Sequence, residues 1–151
     1  AERERGLAEF FANVGCLPGV ERLLRHLHRH GIPMAVATGS HKQAFEQKTS
    51  KTKDLFALMS HVVTGCQVSK GKPDPEIFHV AASRFEGGAP PSERVLVFED
   101  APNGVQAGRA AGMQVCHVPD RMLPHTLRGG SHLELASLED FKPEEWGLPA
   151  F

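Results

Sequence analysis

The chain has 151 residues, of which 40% are hydrophobic, and this size and composition are typical of one soluble globular domain. Its 17 lysines and arginines nearly balance 18 acidic residues, and the net charge of -1 gives no reason to expect a nucleic-acid partner. No apolar run approaches the roughly 18 residues of a membrane span, and the first residues lack the order of a signal peptide, so we expect no membrane partner. The sequence gives no indication of oligomeric state.

The cysteines favour a reducing compartment. Cys16, Cys66 and Cys116 are far apart, odd in number and in no C-x-x-C pair. This pattern indicates reduced thiols in a cytoplasmic protein rather than a disulfide framework. We interpret Cys66 and Cys116 as packing residues.

The first predicted helix begins after Pro18-Gly19 and ends at Gly31. Apolar residues at i, i+3, i+4 and i+7 form one face, namely Val20, Leu23, Leu24 and Leu27. His26 and His30 are four residues apart and could share a metal. No third ligand is evident, so we place both on the solvated face of this helix.

Short apolar stretches alternate with helical ones along the rest of the chain. Strands are predicted at Met34–Ala37, 61–65, 94–98 and 113–118, with a weak last strand and a short helical tail within 132–141. Helices are predicted to begin near Lys42, Pro75 and Pro102. This alternation predicts an α/β fold with a parallel sheet.

Ligands of such sheets bind beyond the carboxyl ends of the strands. Thr38, the loop 70–74 and the pair Glu99-Asp100 all follow strands or lie in loops that lead into helices. We therefore expect these three places to converge on one crevice.

The stretch Thr38-Gly39-Ser40 follows the strand Met34–Ala37. Thr38 offers a hydroxyl, Gly39 lets the backbone approach a ligand closely, and Ser40 can cap the next helix. Backbone N–H groups at a helix start favour a phosphate. A plain capped turn explains the same three residues, and both interpretations stay open.

Lys72 lies between Gly71 and Pro73 in a loop that contains two prolines. A restrained lysine loses less side-chain entropy when it binds an anion. The alternative is a surface lysine in a turn, which is how we interpret Lys70. His41 lies near the predicted crevice and could contact a substrate.

Glu99 and Asp100 directly follow an apolar strand and precede Pro102. Carboxylate oxygens suit Mg²⁺, which usually takes one or two carboxylates, several waters and a substrate phosphate. The alternative is that the helix dipole favours acids at this position. Two acids directly after a buried strand favour the metal site, with Asp100 as the first candidate ligand.

Three segments occur in the order of a known family. Thr38 after "MAVA", then "GKPDP", then "VFEDAPNGV" resemble the haloacid dehalogenase-like (HAD) hydrolases over nearly the whole chain. The resemblance implies a Rossmann-like core over 16–151 and a Mg²⁺-dependent phosphomonoesterase that acts on a small phosphorylated metabolite, either nucleotide-like or a sugar phosphate. It implies catalytic roles for Thr38 and Lys72, phosphate binding by these two with Gly39 and Ser40, and metal binding by Glu99 and Asp100.

One feature of the family is missing from this sequence. The family's nucleophile is an aspartate of an Asp-x-Asp-Gly motif on the first, central strand, and no such string occurs here. Without it no phospho-aspartyl intermediate forms. We therefore expect a sheet that lacks its central strand and a fold that lacks most of the cap domain. Residues 1–15 are then the remnant of the exit from the cap, or a linker.

Two interpretations of the chain stay open. In the first, it is the C-terminal part of a phosphatase whose nucleophile lies upstream. In the second, it is a truncated, non-catalytic or binding protein. A phosphatase or phosphomutase for another sugar phosphate is a further alternative to the first. Whether the chain is an enzyme stays open between these interpretations, and we expect little or no phosphatase activity from it alone.

Overall fold

The structure is a computed structural model that describes residues 7–10 and 18–151. In these residues the strands are β1 (Leu7–Phe10), β2 (Met34–Ala37), β3 (His61–Val63), β4 (Val95–Glu99), β5 (Gln114–His117) and β6 (Leu133–Glu134). The helices are α1 (Val20–Arg29), α2 (Lys42–Lys48), α3 (Lys53–Phe56), α4 (Glu76–Ser83) and α5 (Pro102–Ala110). Short 3-10 turns lie at Gly65–Gln67, Ser92–Arg94, His125–Leu127, Leu138–Asp140 and Pro143–Trp146. None of the helices in these ranges has the length and apolarity needed to cross a membrane.

The strands form one parallel sheet in the order β3-β2-β1-β4-β5-β6. This order confirms the predicted α/β fold with a parallel sheet. The strands β2 and β3 follow on one side of β1 and the strands β4, β5 and β6 on its other side, so the order in which strands are added reverses between β1 and β4. A crevice opens at such a reversal, beyond the carboxyl ends of the strands, and ligands of doubly wound sheets bind there.

The sheet has a central strand, so the prediction that this strand is missing is wrong. Leu7–Phe10 pair in parallel with β2 on one side and β4 on the other, with Ala8 opposite both Met34 and Leu96. Without β1 the inner edges of β2 and β4 would each bury a row of unpaired backbone groups, which is costly. Backbone groups of any residue type can pair with these two edges and remove that cost. Residues without a strand-like sequence therefore form β1. Residues 1–15 thus include a core strand, and the rest of that range lies outside the described residues.

Helix α1 has the apolar face that its periodicity predicts. Val20, Leu23, Leu24 and Leu27 are at most 1% exposed. The prediction for His26 is wrong, because this residue is 2% exposed. Its Nε2 lies 2.7 Å from the carbonyl oxygen of Pro149, and its ring lies 4.7 Å from that of Phe151, so the C-terminal segment covers it. His30 is exposed, as expected.

Both faces of the sheet are covered. Helices α4 and α5 pack on one face, where Phe78 and Val105 belong to the same cluster of buried side chains as the strand residue Val97. Helix α1 and the C-terminal segment pack on the other, where Phe98 meets Phe141 edge-on with ring centroids 5.1 Å apart. Burial on both faces is what a parallel sheet requires. The carboxyl ends of the strands are therefore the natural place for a site.

Candidate active site

Lys72 lies at the centre of the candidate site. Its Nζ donates hydrogen bonds to Oε2 of Glu99, at 2.8 Å, and to the carbonyl oxygen of Ala37, at 3.0 Å. The side chain is 6% exposed, and Nζ lies 4.8 Å from the ring centroid of Phe78. The interpretation of Lys72 as a surface lysine is therefore wrong. Because Ala37 ends β2 and Glu99 ends β4, Lys72 connects the two strands that flank β1, and the predicted convergence of the three loops is confirmed.

The loop that carries Lys72 is held by its own hydrogen bonds. The carboxylate of Glu76 accepts from the backbone N–H groups of Ser69 and Lys70, each at 3.0 Å. The carboxylate of Asp74 accepts from the N–H of Glu76 at 2.9 Å, which fixes the entry into α4. Lys70 itself is exposed, as expected. The loop is thus ordered before any ligand binds, which lowers the entropic cost of binding one.

Glu99 is a buried acid that is paired with the Lys72 ammonium. It is 1% exposed, and burial raises the pKa of its carboxyl well above the ordinary range; the Lys72 ammonium opposes this rise, and the adjacent Asp100 adds to it. The N–H of Ala101 donates to Oε1 at 3.4 Å. Gly104 of α5 leaves room for the carboxyl group, because a Cβ there would overlap it. The position of Glu99 therefore depends on Lys72 and on the absence of a side chain at 104.

Asp100 is half-buried and follows Glu99 at the edge of the crevice. It lines a cleft of about 540 Å³ together with residues that include Arg121 and Ser137. Among the residues that the structure describes, no group of three or more His, Cys, Asp or Glu side chains is arranged to hold a metal. Two adjacent carboxylates still fit Mg²⁺, which keeps several waters and uses oxygens of the substrate phosphate. Two neighbouring acids, one of them buried, also favour a cation electrostatically.

The turn after β2 is rigid. Thr38 is 2% exposed, and its Oγ1 accepts a hydrogen bond from the N–H of Ser40 at 3.2 Å. The N–H of Gly65 donates to the carbonyl oxygen of Ser40 at 2.9 Å, and a Cβ at Gly65 would overlap the carbonyl oxygen of Gly39. The expectation that Ser40 caps the next helix is wrong, since the N-cap of α2 is His41, without a side-chain cap. Gly39 is exposed at the tip of the turn.

Cys66 is exposed next to this turn, so its interpretation as a packing residue is wrong. Its Sγ lies 3.2 Å from Oγ1 of Thr64. Hydrogen bonds with the Thr64 hydroxyl, the Lys42 N–H and the His41 side chain lower the pKa of this thiol to about 7. The environment resembles that of a reactive cysteine rather than an inert one.

The sequence predicts the role of one of two neighbouring residues of β5 and not that of the other. Cys116 is 0% exposed, which confirms it as a packing residue, and burial raises the pKa of its thiol to about 12. His117, also 0% exposed, has its Nε2 3.2 Å from the carbonyl oxygen of Asp100, and sequence reasoning missed it. The sequence feature that could have pointed to His117 is a polar residue at the end of an apolar strand. Cys16 lies outside the described residues.

Comparison with known proteins finds a family model and several relatives that match most of the chain. A family model described as "haloacid dehalogenase-like hydrolase" matches residues 2–112, a range that includes Thr38, Lys72, Glu99 and Asp100. The chain is 51% identical to "(DL)-glycerol-3-phosphatase 1, mitochondrial" of Arabidopsis thaliana, over 99% of this chain and 51% of that protein. It is 48% identical to "Probable pseudouridine-5'-phosphatase" of Drosophila melanogaster, over 100% of this chain and 67% of that protein.

The fold has counterparts among solved structures. One is a crystal structure of a CbbY mutant from Rhodobacter sphaeroides in complex with xylulose-(1,5)bisphosphate, with a TM-score of 0.72 and 26% sequence identity. The match covers 82% of this chain and 55% of that protein. The chain therefore spans only about half to two thirds of the length of the proteins it resembles.

Proposed function

The chain belongs to the haloacid dehalogenase-like hydrolases, and from this premise we propose that it carries the phosphate-binding and metal-binding part of a phosphomonoesterase site. The observation that carries the proposal is the position of the Lys72 ammonium. It is buried between the carboxylate of Glu99 and the carbonyl oxygen of Ala37, the residue that precedes Thr38. A cation paired with the first of two consecutive acids, at the carboxyl ends of parallel strands, suits a phosphate with its metal.

Two side chains bind the phosphate in this proposal. The ammonium of Lys72 neutralises charge on one phosphoryl oxygen. The Thr38 hydroxyl oxygen accepts from the N–H of Ser40. Its hydrogen can still donate, and we propose a second phosphoryl oxygen as the acceptor. The exposed backbone of Gly39 then lies against the phosphate, where a side chain would keep the two apart.

The two acids form the metal-binding part of the proposal. Asp100 would hold Mg²⁺ directly, and Glu99 would support it from the buried side while it orients Lys72. When bound, Mg²⁺ supplies further positive charge to the phosphoryl oxygens. Two carboxylates are a small ligand set, so waters and the phosphate complete the coordination.

Hydrolysis by the family's route requires the aspartate nucleophile of an Asp-x-Asp-Gly motif, and this string does not occur in the sequence. Residues 11–17, which follow β1, contain neither Asp nor Glu. A bound phosphoryl group would therefore be polarised but not attacked. We propose that the chain as given binds phosphomonoesters and Mg²⁺ without turnover. The same site would hydrolyse them if a longer protein containing this chain provided the aspartate.

The substrate is a small phosphomonoester in this proposal. The likeness to the Drosophila protein supports pseudouridine 5'-phosphate. The likeness to the Arabidopsis protein makes glycerol 3-phosphate a second candidate. Asp100 also lines a cleft of about 540 Å³, a size that takes a small metabolite, although Thr38 and Lys72 are not among the described residues that line it. A cytoplasmic location remains a prediction, since the name of the Arabidopsis relative includes "mitochondrial".

Calorimetric titration of the 151-residue chain tests the proposal. Inorganic phosphate and both phosphomonoesters are titrated with and without Mg²⁺, into wild type, Lys72→Met, Asp100→Asn and the control Lys70→Met. We expect binding that requires Mg²⁺, is lost in Lys72→Met and Asp100→Asn, and persists in Lys70→Met. Binding that is unchanged in Lys72→Met and Asp100→Asn would contradict the proposed site.

A further inference from the structure

His117 is buried at the carboxyl end of β5, and among the residues that the structure describes only one of its two ring nitrogens has a hydrogen-bond partner. It lies opposite Glu99 in the register of β4 and β5 and is 0% exposed. Its Nε2 lies 3.2 Å from the carbonyl oxygen of Asp100. Its Nδ1 has no hydrogen-bond partner in the part of the chain that the structure describes.

A histidine whose Nδ1 finds no partner among the described residues is a costly choice at this position. A buried polar atom without a partner loses its hydration and gains nothing in return. An apolar side chain would fill the same space without that loss. Unlike an apolar side chain, the imidazole ring supplies an N–H group. Because the carbonyl oxygen of Asp100 can only accept a hydrogen bond, the ring hydrogen lies on Nε2. The hydrogen bond to Asp100 is therefore what His117 adds.

This hydrogen bond continues the ladder between β4 and β5 by one residue. The N–H of Val118 donates to the carbonyl oxygen of Glu99 at 2.8 Å, and the ring N–H of His117 serves the next carbonyl oxygen, that of Asp100. On the other side of the same peptide, the N–H of Ala101 donates to Oε1 of Glu99 at 3.4 Å. The peptide that follows Asp100 is thus held at both its oxygen and its nitrogen.

We propose that His117 is a positioning residue for Asp100. By fixing the peptide after Asp100, the ring limits the directions that the Asp100 side chain can take, and it presents the carboxylate to the metal without contacting the metal. This inference rests on the proposed role of Asp100 as a metal ligand. Partners that orient metal ligands from behind typically change metal affinity by 10–100-fold when they are lost.

Binding of Mn²⁺ to the 151-residue chain, followed by the electron paramagnetic resonance signal of the free ion, tests the inference. Gln can place its amide N–H where Nε2 lies, Asn places its amide near Nδ1 instead, and Met has no donor. We expect His117→Met and His117→Asn to weaken Mn²⁺ binding by about tenfold. We expect His117→Gln to keep the affinity of the wild type. Thermal unfolding of each variant confirms that it is folded at the temperature of the titration.

Asp100→Asn separates the inference from the function on which it rests. If this variant loses Mn²⁺ binding while His117→Met keeps it, the positioning role is wrong and the metal site stands. If His117→Gln is weakened as much as His117→Met, the ring acts through packing alone and the inference fails. If Asp100→Asn binds Mn²⁺ as the wild type does, or the wild type does not bind it, the proposed metal site and the inference both fail.

Discussion

The ammonium nitrogen of Lys72 lies 2.8 Å from the carboxylate of Glu99, and 6% of the lysine side chain and none of the glutamate side chain are exposed. Such a pair gains little net stability, because both charges lose their hydration. It does fix geometry. Through it, the loop that precedes α4 is joined to the end of β4, and the lysine is held at the end of β2, against the carbonyl oxygen of Ala37, before any ligand arrives.

Removal of Lys72 is expected to destabilise the fold. Lys72→Met leaves the buried Glu99 carboxylate without its cation, and we expect a loss of about 3–5 kcal/mol in the free energy of unfolding. Urea denaturation monitored by circular dichroism measures it. Lys70→Met changes an exposed lysine of the same loop, and we expect a change within about 0.5 kcal/mol.

A second substitution shows whether the buried charge causes that loss. Lys72→Met combined with Glu99→Gln removes both charges, and we expect it to be more stable than Lys72→Met alone. A double variant as unstable as the single one would indicate that lost packing, and not an uncompensated carboxylate, accounts for the effect.

Gly104→Ala is expected to displace Glu99. A Cβ at this position would overlap the Glu99 carboxyl group, which cannot move without leaving Lys72. Alanine favours a helix by about 1 kcal/mol over glycine, but overpacking typically costs about 1–3 kcal/mol, so we expect a net loss of stability. Thermal unfolding measures it.

At Gly71 no atom lies within 4 Å of an added Cβ, so Gly71→Ala is the control and is expected to be neutral. A Gly104→Ala variant more stable than the wild type would contradict this account.

Cys66 is expected to be a reactive thiol with an unusual pH dependence. Its pKa is lowered from 9.0 to about 7, chiefly by the Thr64 hydroxyl, so its thiolate forms as the pH rises through 7 instead of 9. Alkylation by iodoacetamide, measured on the Cys66 peptide by mass spectrometry, should reach half its maximal rate near pH 7. Cys116 in the same sample is buried and should stay unmodified while the protein is folded.

Thr64→Val provides the matched test for Cys66. Valine keeps the shape of threonine and removes the hydroxyl, so the midpoint of alkylation should move to higher pH. A midpoint near pH 9 in the wild type, or an unchanged midpoint in Thr64→Val, would show that the hydrogen bonds to Cys66 do not stabilise its thiolate.

Local patterns were enough to predict most of the elements that surround the site. The spacing of Val20, Leu23, Leu24 and Leu27 predicted α1, and apolar runs predicted β2, β4 and β5. The rule that parallel strands gather ligands at their carboxyl ends predicted that the loops of Lys72 and Glu99 meet. These features depend on periodicity and on chain order, which a sequence displays directly.

The errors concern contacts between distant parts of the chain. The sequence of Leu7–Phe10 does not predict a strand. These residues form one because β2 and β4 both pair with them, so tertiary pairing overrides local preference. His26 looked solvated because the segment around Pro149, which covers it, lies more than one hundred residues away. His117 was overlooked because its importance depends on the carbonyl oxygen of Asp100 on the adjacent strand.

Phosphate release measured beside ligand binding tests the central claim most directly. The 151-residue chain is incubated with Mg²⁺ and either pseudouridine 5'-phosphate or glycerol 3-phosphate, and free phosphate is assayed in samples whose binding is known from calorimetry. We predict binding that depends on Lys72 and Asp100, with no phosphate release above the protein-free control. Sustained release by the wild type that Lys72→Met and Asp100→Asn abolish would contradict the claim that this chain binds phosphomonoesters but lacks the nucleophile to cleave them.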